Sequence, residues 1–200
     1  MNNNVIVDTG CANLSSVKFA VERLGFTVTI TDNIEQITAA DKVILPGVGS
    51  AKYAMTNIIE KGLTETLQNL TQPVLGFCLG MQLMTRSSTE TNEDECVSCL
   101  DLIPTTVEPL KAQGLRLPHM GWNTLTAVND HPIFNGIKTG DYFYFVHSFA
   151  APVSKYTIAH CDYGSQFSAA IAKDNFIGCQ FHPERSGKLG SKIIQNFLNL

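Results

Sequence analysis

The sequence predicts an α/β fold, a doubly wound and mostly parallel sheet with an additional, partly antiparallel strand extension. Three observations predict it. From Val5 to Arg86, short apolar runs alternate with amphipathic segments at the spacing of right-handed βαβ units. Three tight turns, Asp8–Asn13, Pro46–Gly49 and Cys78–Gly80, follow apolar runs, and in such sheets binding groups gather at the carboxyl ends of strands. The second half reads as six short strands separated by turns, the pattern of an antiparallel meander.

Val5-Ile6-Val7 is a strand that stops at Asp8-Thr9-Gly10, a turn. Asn13 is positioned to cap the next segment. Leu14, Val17, Ala20, Val21 and Leu24 recur at helical spacing, and Gly25 ends that helix. Phe26 to Thr31 alternates with β-branched residues and reads as a second strand. Val43-Ile44-Leu45 is a third, broken by Pro46-Gly47, and Ser50 to Ile59 is helical. Pro73 to Phe77 is a fourth, buried strand, and Leu79 to Arg86 follows as a helix with almost no loop. The six later strands are Thr105–Leu110, Thr124–Val128, Tyr142–Val146, Thr157–His160, Ala169–Ala172 and Ile177–Phe181. Ser191 to Leu200 closes the chain as a helix with Ile193, Ile194, Phe197 and Leu198 on its buried side.

With 200 residues and no linker or repeat, a single domain spanning 1–200 is expected. A charge of −4 argues against a nucleic-acid binder. No run approaches the roughly 18 apolar residues of a membrane span, and the start lacks a secretory signal, so a cytoplasmic chain without membrane contact is expected. The six cysteines, Cys11, Cys78, Cys96, Cys99, Cys161 and Cys179, then read as thiols. Cys96-Val-Ser-Cys99 has metal-ligand spacing, but no second pair completes a site, so no metal is expected. Glu90, Glu93, Asp94 and Glu95 read as a solvated acidic loop.

The most informative segment is Gly76-Phe77-Cys78-Leu79-Gly80-Met81-Gln82. A cysteine between a buried strand and a helix start sits on a sharp turn of the nucleophile-elbow kind, which small neighbours permit. The helix N-terminus favours the thiolate, and the Leu79 amide is placed to bind an oxyanion. In Gly178-Cys179-Gln180-Phe181-His182-Pro183-Glu184, His182 lies at a strand end, with Glu184 two residues on and on the same side. A carboxylate there fixes the imidazole tautomer and stabilises the imidazolium. Cys78, His182 and Glu184 thus form a nucleophile, base and orienter suited to attack on an amide or ester. Leu45-Pro46-Gly47-Val48-Gly49-Ser50 lacks the Gly-Lys-Ser/Thr of a P-loop and fits an oxyanion loop opposite Cys78. Asp8–Asn13 lacks dinucleotide glycine spacing, and no cofactor is expected.

Cys78-Leu79-Gly80-Met81-Gln82 with His182-Pro183-Glu184 resembles the triad-type, class I glutamine amidotransferases, a resemblance that spans essentially the whole chain. Pro118-His119-Met120-Gly121-Trp122-Asn123, Tyr144-Phe145-Val146-His147-Ser148-Phe149 and Phe181-His182-Pro183-Glu184-Arg185-Ser186-Gly187 look like the glutaminase-subunit family of imidazole glycerol phosphate synthases. The resemblance implies a flavodoxin-like sheet and hydrolysis of glutamine through a Cys78 glutamyl thioester. The backbone of Val48 or Gly49, with Leu79, would bind the oxyanion. Gln82, Ser148 and Phe149 would hold glutamine. Ammonia would pass to a partner cyclase subunit, forming imidazole glycerol phosphate and an aminoimidazole carboxamide ribotide in histidine biosynthesis. Met120, Trp122, Asn123, Tyr144 and Arg185 are the interface candidates, Trp, Tyr and Arg being frequent anchors. Small departures from the family pattern lie at Gly10–Asn13, Ser50–Tyr53 and Arg185, and none of them changes a triad residue.

Three alternatives stay open on the sequence. A sister amidotransferase subunit would share the triad but not the Pro118–Asn123 segment. A free-standing γ-glutamyl hydrolase would turn over without a partner. A silent binding module would not need the complete Cys78, His182 and Glu184 set.

Overall fold

A computed structural model describes residues 3–10, 13–90 and 96–200. Its first half holds β1 (Asn4–Val7), α1 (Leu14–Glu22), β2 (Thr29–Thr31), α2 (Ile34–Thr38), β3 (Lys42–Leu45), α3 (Ala51–Glu60), α4 (Thr64–Gln68), β4 (Val74–Phe77) and α5 (Leu79–Leu83). Then follow β5 (Thr85–Ser88), β6 (Val97–Ser98), β7 (Ile103–Pro109), β8 (His119–Val128), β9 (Tyr142–His147), β10 (Phe149–Ala150), β11 (Thr157–Asp162), β12 (Gln166–Lys173), β13 (Phe176–Cys179) and α6 (Gly187–Leu198).

Among the described residues, one sheet has nine strands in the order β2-β1-β3-β4-β13-β12-β11-β8-β9. The strands from β2 to β13 run parallel, and β12, β11, β8 and β9 continue antiparallel. Alternate residues of the parallel strands feed two cores. Val5, Val7, Val43 and Leu45 pack with α2, α3, α4 and α5, while Ile6 and Ile44 pack with α1 and α6. This is the doubly wound α/β architecture expected, with helices on both faces of the sheet.

The details depart from the sequence reading at several points. The helix expected from Leu79 to Arg86 stops at Leu83, and Thr85–Ser88 becomes a strand. The Thr85 hydroxyl donates to the Gln82 carbonyl at 2.7 Å, and Ser87 and Ser88, poor helix formers, pair instead with Thr106 and Val107 of β7. That pairing also takes β7 out of the main sheet. It lies in a second sheet ordered β10-β7-β5-β6. The strand expected from Phe26 is confined to Thr29–Thr31, which matches Val5–Val7 of the short β1 residue for residue. Conversely, β8 starts at His119, because His119 to Thr124 pair in register with His147 to Tyr142. Asn13 occupies the N-cap position of α1 in a left-handed conformation, and its side chain accepts from the Ser16 hydroxyl rather than from a backbone amide. The helices α2 and α4 are five residues each, too short to display helical periodicity.

Cys11 and three of the acidic residues, Glu93, Asp94 and Glu95, lie outside the described residues. Glu90 is not solvated. It is half-buried, and its carboxylate accepts from the Ala51 amide at 2.8 Å, at the N-terminus of α3. Cys78, Cys96, Cys99, Cys161 and Cys179 are free thiols. Burial pushes Cys99 and Cys161 up to about 12. Among the described residues, no group of three His, Cys, Asp or Glu side chains could hold a metal, and no helix is long and apolar enough to cross a membrane.

Candidate active site

The topology brings two distant segments together. β13 inserts beside β4 in parallel, with Gly178 opposite Gly76 and Cys179 opposite Phe77. The Cys78 amide then donates to the Cys179 carbonyl at 2.8 Å. Cys78 has φ 49° and ψ −108°, a strained conformation for a residue with a Cβ, and α5 starts at the next residue. The elbow closes tightly on its neighbours. A Cβ on Gly80 would stand 1.8 Å from the Leu45 carbonyl oxygen, and one on Gly76 would stand 2.7 Å from the Gly80 backbone.

His182 follows β13, and its Nδ1–H donates to Glu184 Oε1 at 2.9 Å. Both side chains are almost fully buried. Burial by itself would depress His182. Hydrogen bonds to Cys78 and Glu184, and the charges of both, outweigh it and raise His182 to about 10. With Nδ1 committed to Glu184, Nε2 is left for Cys78.

These groups open into a cleft of about 360 Å³. Cys78, Leu79, His182, Val48, Gly49, Gln82, Ser148 and Phe149 all line it. Arg185, read from sequence as an interface residue, lines it too, together with Glu90, Pro118, Val146 and His147. Glu184 stands behind His182 rather than on the wall. Ser148 and Phe149 sit where β9 of the main sheet passes into β10 of the small one, and the Ser148 carbonyl accepts from the Leu110 amide. Gln82 turns its Nε2 inward, to the Phe149 carbonyl and to Gln180 Oε1, both at 3.0 Å. Both amide protons are therefore engaged, and what Gln82 can offer the cleft is an acceptor, Oε1.

Met120 and Trp122 stand out from β8, exposed at 66% and 55%. Trp122 meets Tyr144 edge to face, with ring centroids 5.9 Å apart. The Tyr144 carbonyl accepts from the His182 amide at 2.9 Å, so this aromatic face is joined to the cleft through backbone. Asn123 is turned inward. Its amide donates to the Asp162 carbonyl at 2.9 Å and to His119 Nε2 at 3.3 Å.

Sequence reasoning passed over Gln180, His119 and His147 as functional residues. Gln180 is a polar side chain inside the run read as the strand Ile177–Phe181, which is the one signal that marks it; His119 and His147 lie just outside the strands read at Thr124–Val128 and Tyr142–Val146, and only their burial distinguishes them. His119 Nδ1 meets His147 Nε2 at 2.9 Å, and His147 Nδ1 meets the Phe149 carbonyl at 2.9 Å. Burial lowers His119 to about 4 and His147 to about 3, against the opposing pull of the hydrogen bond from His147 to the Phe149 carbonyl. The unfolded chain would take up both protons near pH 6.5, so stability rises with pH across that window and is lost as pH falls. Each histidine should cost about 1.4 kcal/mol per pH unit between its unfolded and folded values. His182 has the opposite sign. Its contribution is complete below about 6.5 and lost as pH rises through about 10, so it does not act on the acid limb. Urea midpoints measured across the acid range should show a steep loss that becomes shallower in a His119→Asn variant. An unchanged slope would mean that His119 is not buried neutral.

The fold and the cleft define a class. The chain matches the family model described as glutamine amidotransferase class-I over residues 5–200, and it belongs to that family. Within the class it is 75% identical, over 98% of this chain and 92% of the relative, to a Colwellia psychrerythraea protein named imidazole glycerol phosphate synthase subunit HisH. A Vibrio cholerae protein of the same name is 56% identical over 99% of this chain and 98% of its own length. The fold matches a solved structure of PurLQS from Thermotoga maritima, with a TM-score of 0.72 at 19% identity, covering 100% of this chain and 99% of that one.

Proposed function

We propose that this chain hydrolyses glutamine to glutamate and ammonia, and delivers the ammonia to a cyclase subunit of imidazole glycerol phosphate synthase in histidine biosynthesis. The observation that carries the reading is the elbow cysteine facing a buried His182–Glu184 pair in one cleft. The high identity to HisH subunits supports the partner and pathway.

In the first half-reaction, Cys78 Sγ attacks the side-chain amide carbon of glutamine as a thiolate, its proton held on the His182 imidazolium. The carbonyl oxygen becomes an oxyanion held by the Leu79 amide and by Val48 or Gly49 across the cleft. The C–N bond breaks, His182 returns its proton to the leaving nitrogen, and ammonia departs. A glutamyl thioester remains on Cys78. Water then attacks the thioester, giving its proton to His182, and the C–S bond breaks to release glutamate and restore the Cys78 thiolate beside the His182 imidazolium. Glu184 holds the imidazole tautomer and stabilises the imidazolium in both halves. Glutamine is held by Gln82, Ser148 and Phe149. The partner seats on the exposed Met120 and Trp122 face with Tyr144 and Arg185, and Asn123 braces that strand from within.

The test is glutamate release, measured on the chain alone and with the cyclase subunit and its nucleotide substrate. Slow turnover alone and a rise of about 100-fold with the liganded partner are expected, at the upper end of ordinary coupling free energies. Equal, vigorous turnover in both conditions would point instead to a free-standing hydrolase.

A further inference from the structure

Gln180 is fully buried, and its amide lies between Gln82 and Cys78. The direction of that amide follows from a fixed acceptor. The Phe149 carbonyl can only accept, so Gln82 must present its nitrogen to it. The second Nε2 proton of Gln82 points at Gln180, which must answer with Oε1. Gln180 therefore turns its own Nε2 toward Cys78 Sγ, 3.7 Å away. Flipping Gln180 would set nitrogen against nitrogen and leave the sulfur facing an oxygen.

The starting carbonyl is itself held. His147 Nδ1–H donates to it, and His147 Nε2 then accepts from His119 Nδ1–H. His119 Nε2 is left to accept from the Asn123 amide. The directions agree along the whole chain from β8 to the sulfur, provided both imidazoles are neutral, as their burial makes them. On the sulfur's other side lies the Val146 carbonyl, at 3.6 Å. It can accept from the thiol but offers nothing to a thiolate. The hydrogen bond from Gln180 strengthens when the sulfur ionises.

We propose that Gln180 is a further catalytic residue, whose amide N–H holds the Cys78 sulfur and stabilises its thiolate, with Gln82, His147 and His119 as positioning residues that set the amide's direction. The inference rests on Cys78 being the nucleophile. It adds a side chain that touches the reacting atom and a buried path from that atom to the strand bearing Met120 and Trp122.

The experiment is alkylation of Cys78 by iodoacetamide across the pH range in which thiols titrate, read by mass spectrometry of the Cys78 peptide. It compares the full-length parent with Gln180→Met, near in volume but without a donor, and with Gln180→Glu, which keeps the acceptor for Gln82. For Gln180→Met the pH–rate profile should move upward by about one pH unit, so that alkylation on the acid limb is about tenfold slower, the worth of one hydrogen bond to an ionised group. Gln180→Glu, which turns a carboxylate toward the sulfur, should move it further. In both variants kcat should fall with KM little changed. A profile identical to the parent's, with activity lost only in step with a lower melting temperature, would overturn the assignment and leave Gln180 a packing residue. Should neither variant fold, the side-chain amide resonances of Gln180 in the folded parent and in Cys78→Ala decide the matter. Displaced resonances support the hydrogen bond, and unmoved ones overturn it. A parent Cys78 no more reactive than Cys96 would instead remove the nucleophile itself, an outcome distinct from a reactive Cys78 whose profile ignores Gln180.

Discussion

Cys78→Ala should lower glutamine hydrolysis by about four orders of magnitude or more, the usual consequence of deleting a covalent nucleophile. The fold should survive. Alanine carries the same Cβ as cysteine, so the backbone at φ 49° is no more strained in the variant than in the parent. The lost sulfur contacts are to the Val146 carbonyl, the Gln180 amide and His182, and His182 keeps its hydrogen bond to Glu184. Stability should therefore change by about 1 kcal/mol at most, and binding to the cyclase subunit should persist, because Met120 and Trp122 stand on a different strand. The variant thus separates chemistry from assembly. Coupled glutaminase assays and thermal melts, run side by side, check both halves. Residual turnover comparable to the parent would remove Cys78 as the nucleophile.

The second large effect is expected at Gly80. An alanine there places its Cβ 1.8 Å from the Leu45 oxygen and 2.8 Å from the Leu45 carbonyl carbon, both backbone atoms of the parallel sheet. No side-chain rotation relieves that overlap. Either the end of β3 or the start of α5 must move. Moving α5 displaces the Leu79 amide and Cys78 from the loop that carries Val48 and Gly49. Gly80→Ala should therefore cost about 3 kcal/mol or more, at the upper end of overpacking substitutions, and abolish turnover in whatever protein remains folded. Gly62→Ala is the comparison. Its Cβ meets nothing within 4 Å, and its φ of +67° should cost only about 1–2 kcal/mol. Denaturant midpoints for the two variants should differ accordingly. A Gly80→Ala protein as stable as the parent would mean that the elbow does not pack against β3 in solution.

The parallel α/β half and the candidate triad are legible in the sequence. Val5–Val7, Val43–Leu45 and Val74–Phe77 are short and apolar on both faces, which no other arrangement of so few residues accommodates as well. The elbow was legible because a cysteine flanked by glycines two residues to either side has few structural reasons to exist. His182 and Glu184 were legible because they are neighbours in the chain. What the tertiary structure alone decided is everything that depends on pairing across distance. The insertion of β13 between β4 and β12 places Gln180 against Cys78, 102 positions away. The departure of β7 into a second sheet sets Phe149 where its carbonyl can anchor Gln82. The register of β8 on β9 joins His119 to His147. None of these leaves a local periodic trace, because a strand's hydrophobic pattern records which face is buried but not which strand lies beside it. Burial then does the rest. A glutamine or histidine reads as an ordinary polar residue in sequence, and only its enclosure beside a carbonyl of fixed direction gives its hydrogen bonds a single orientation.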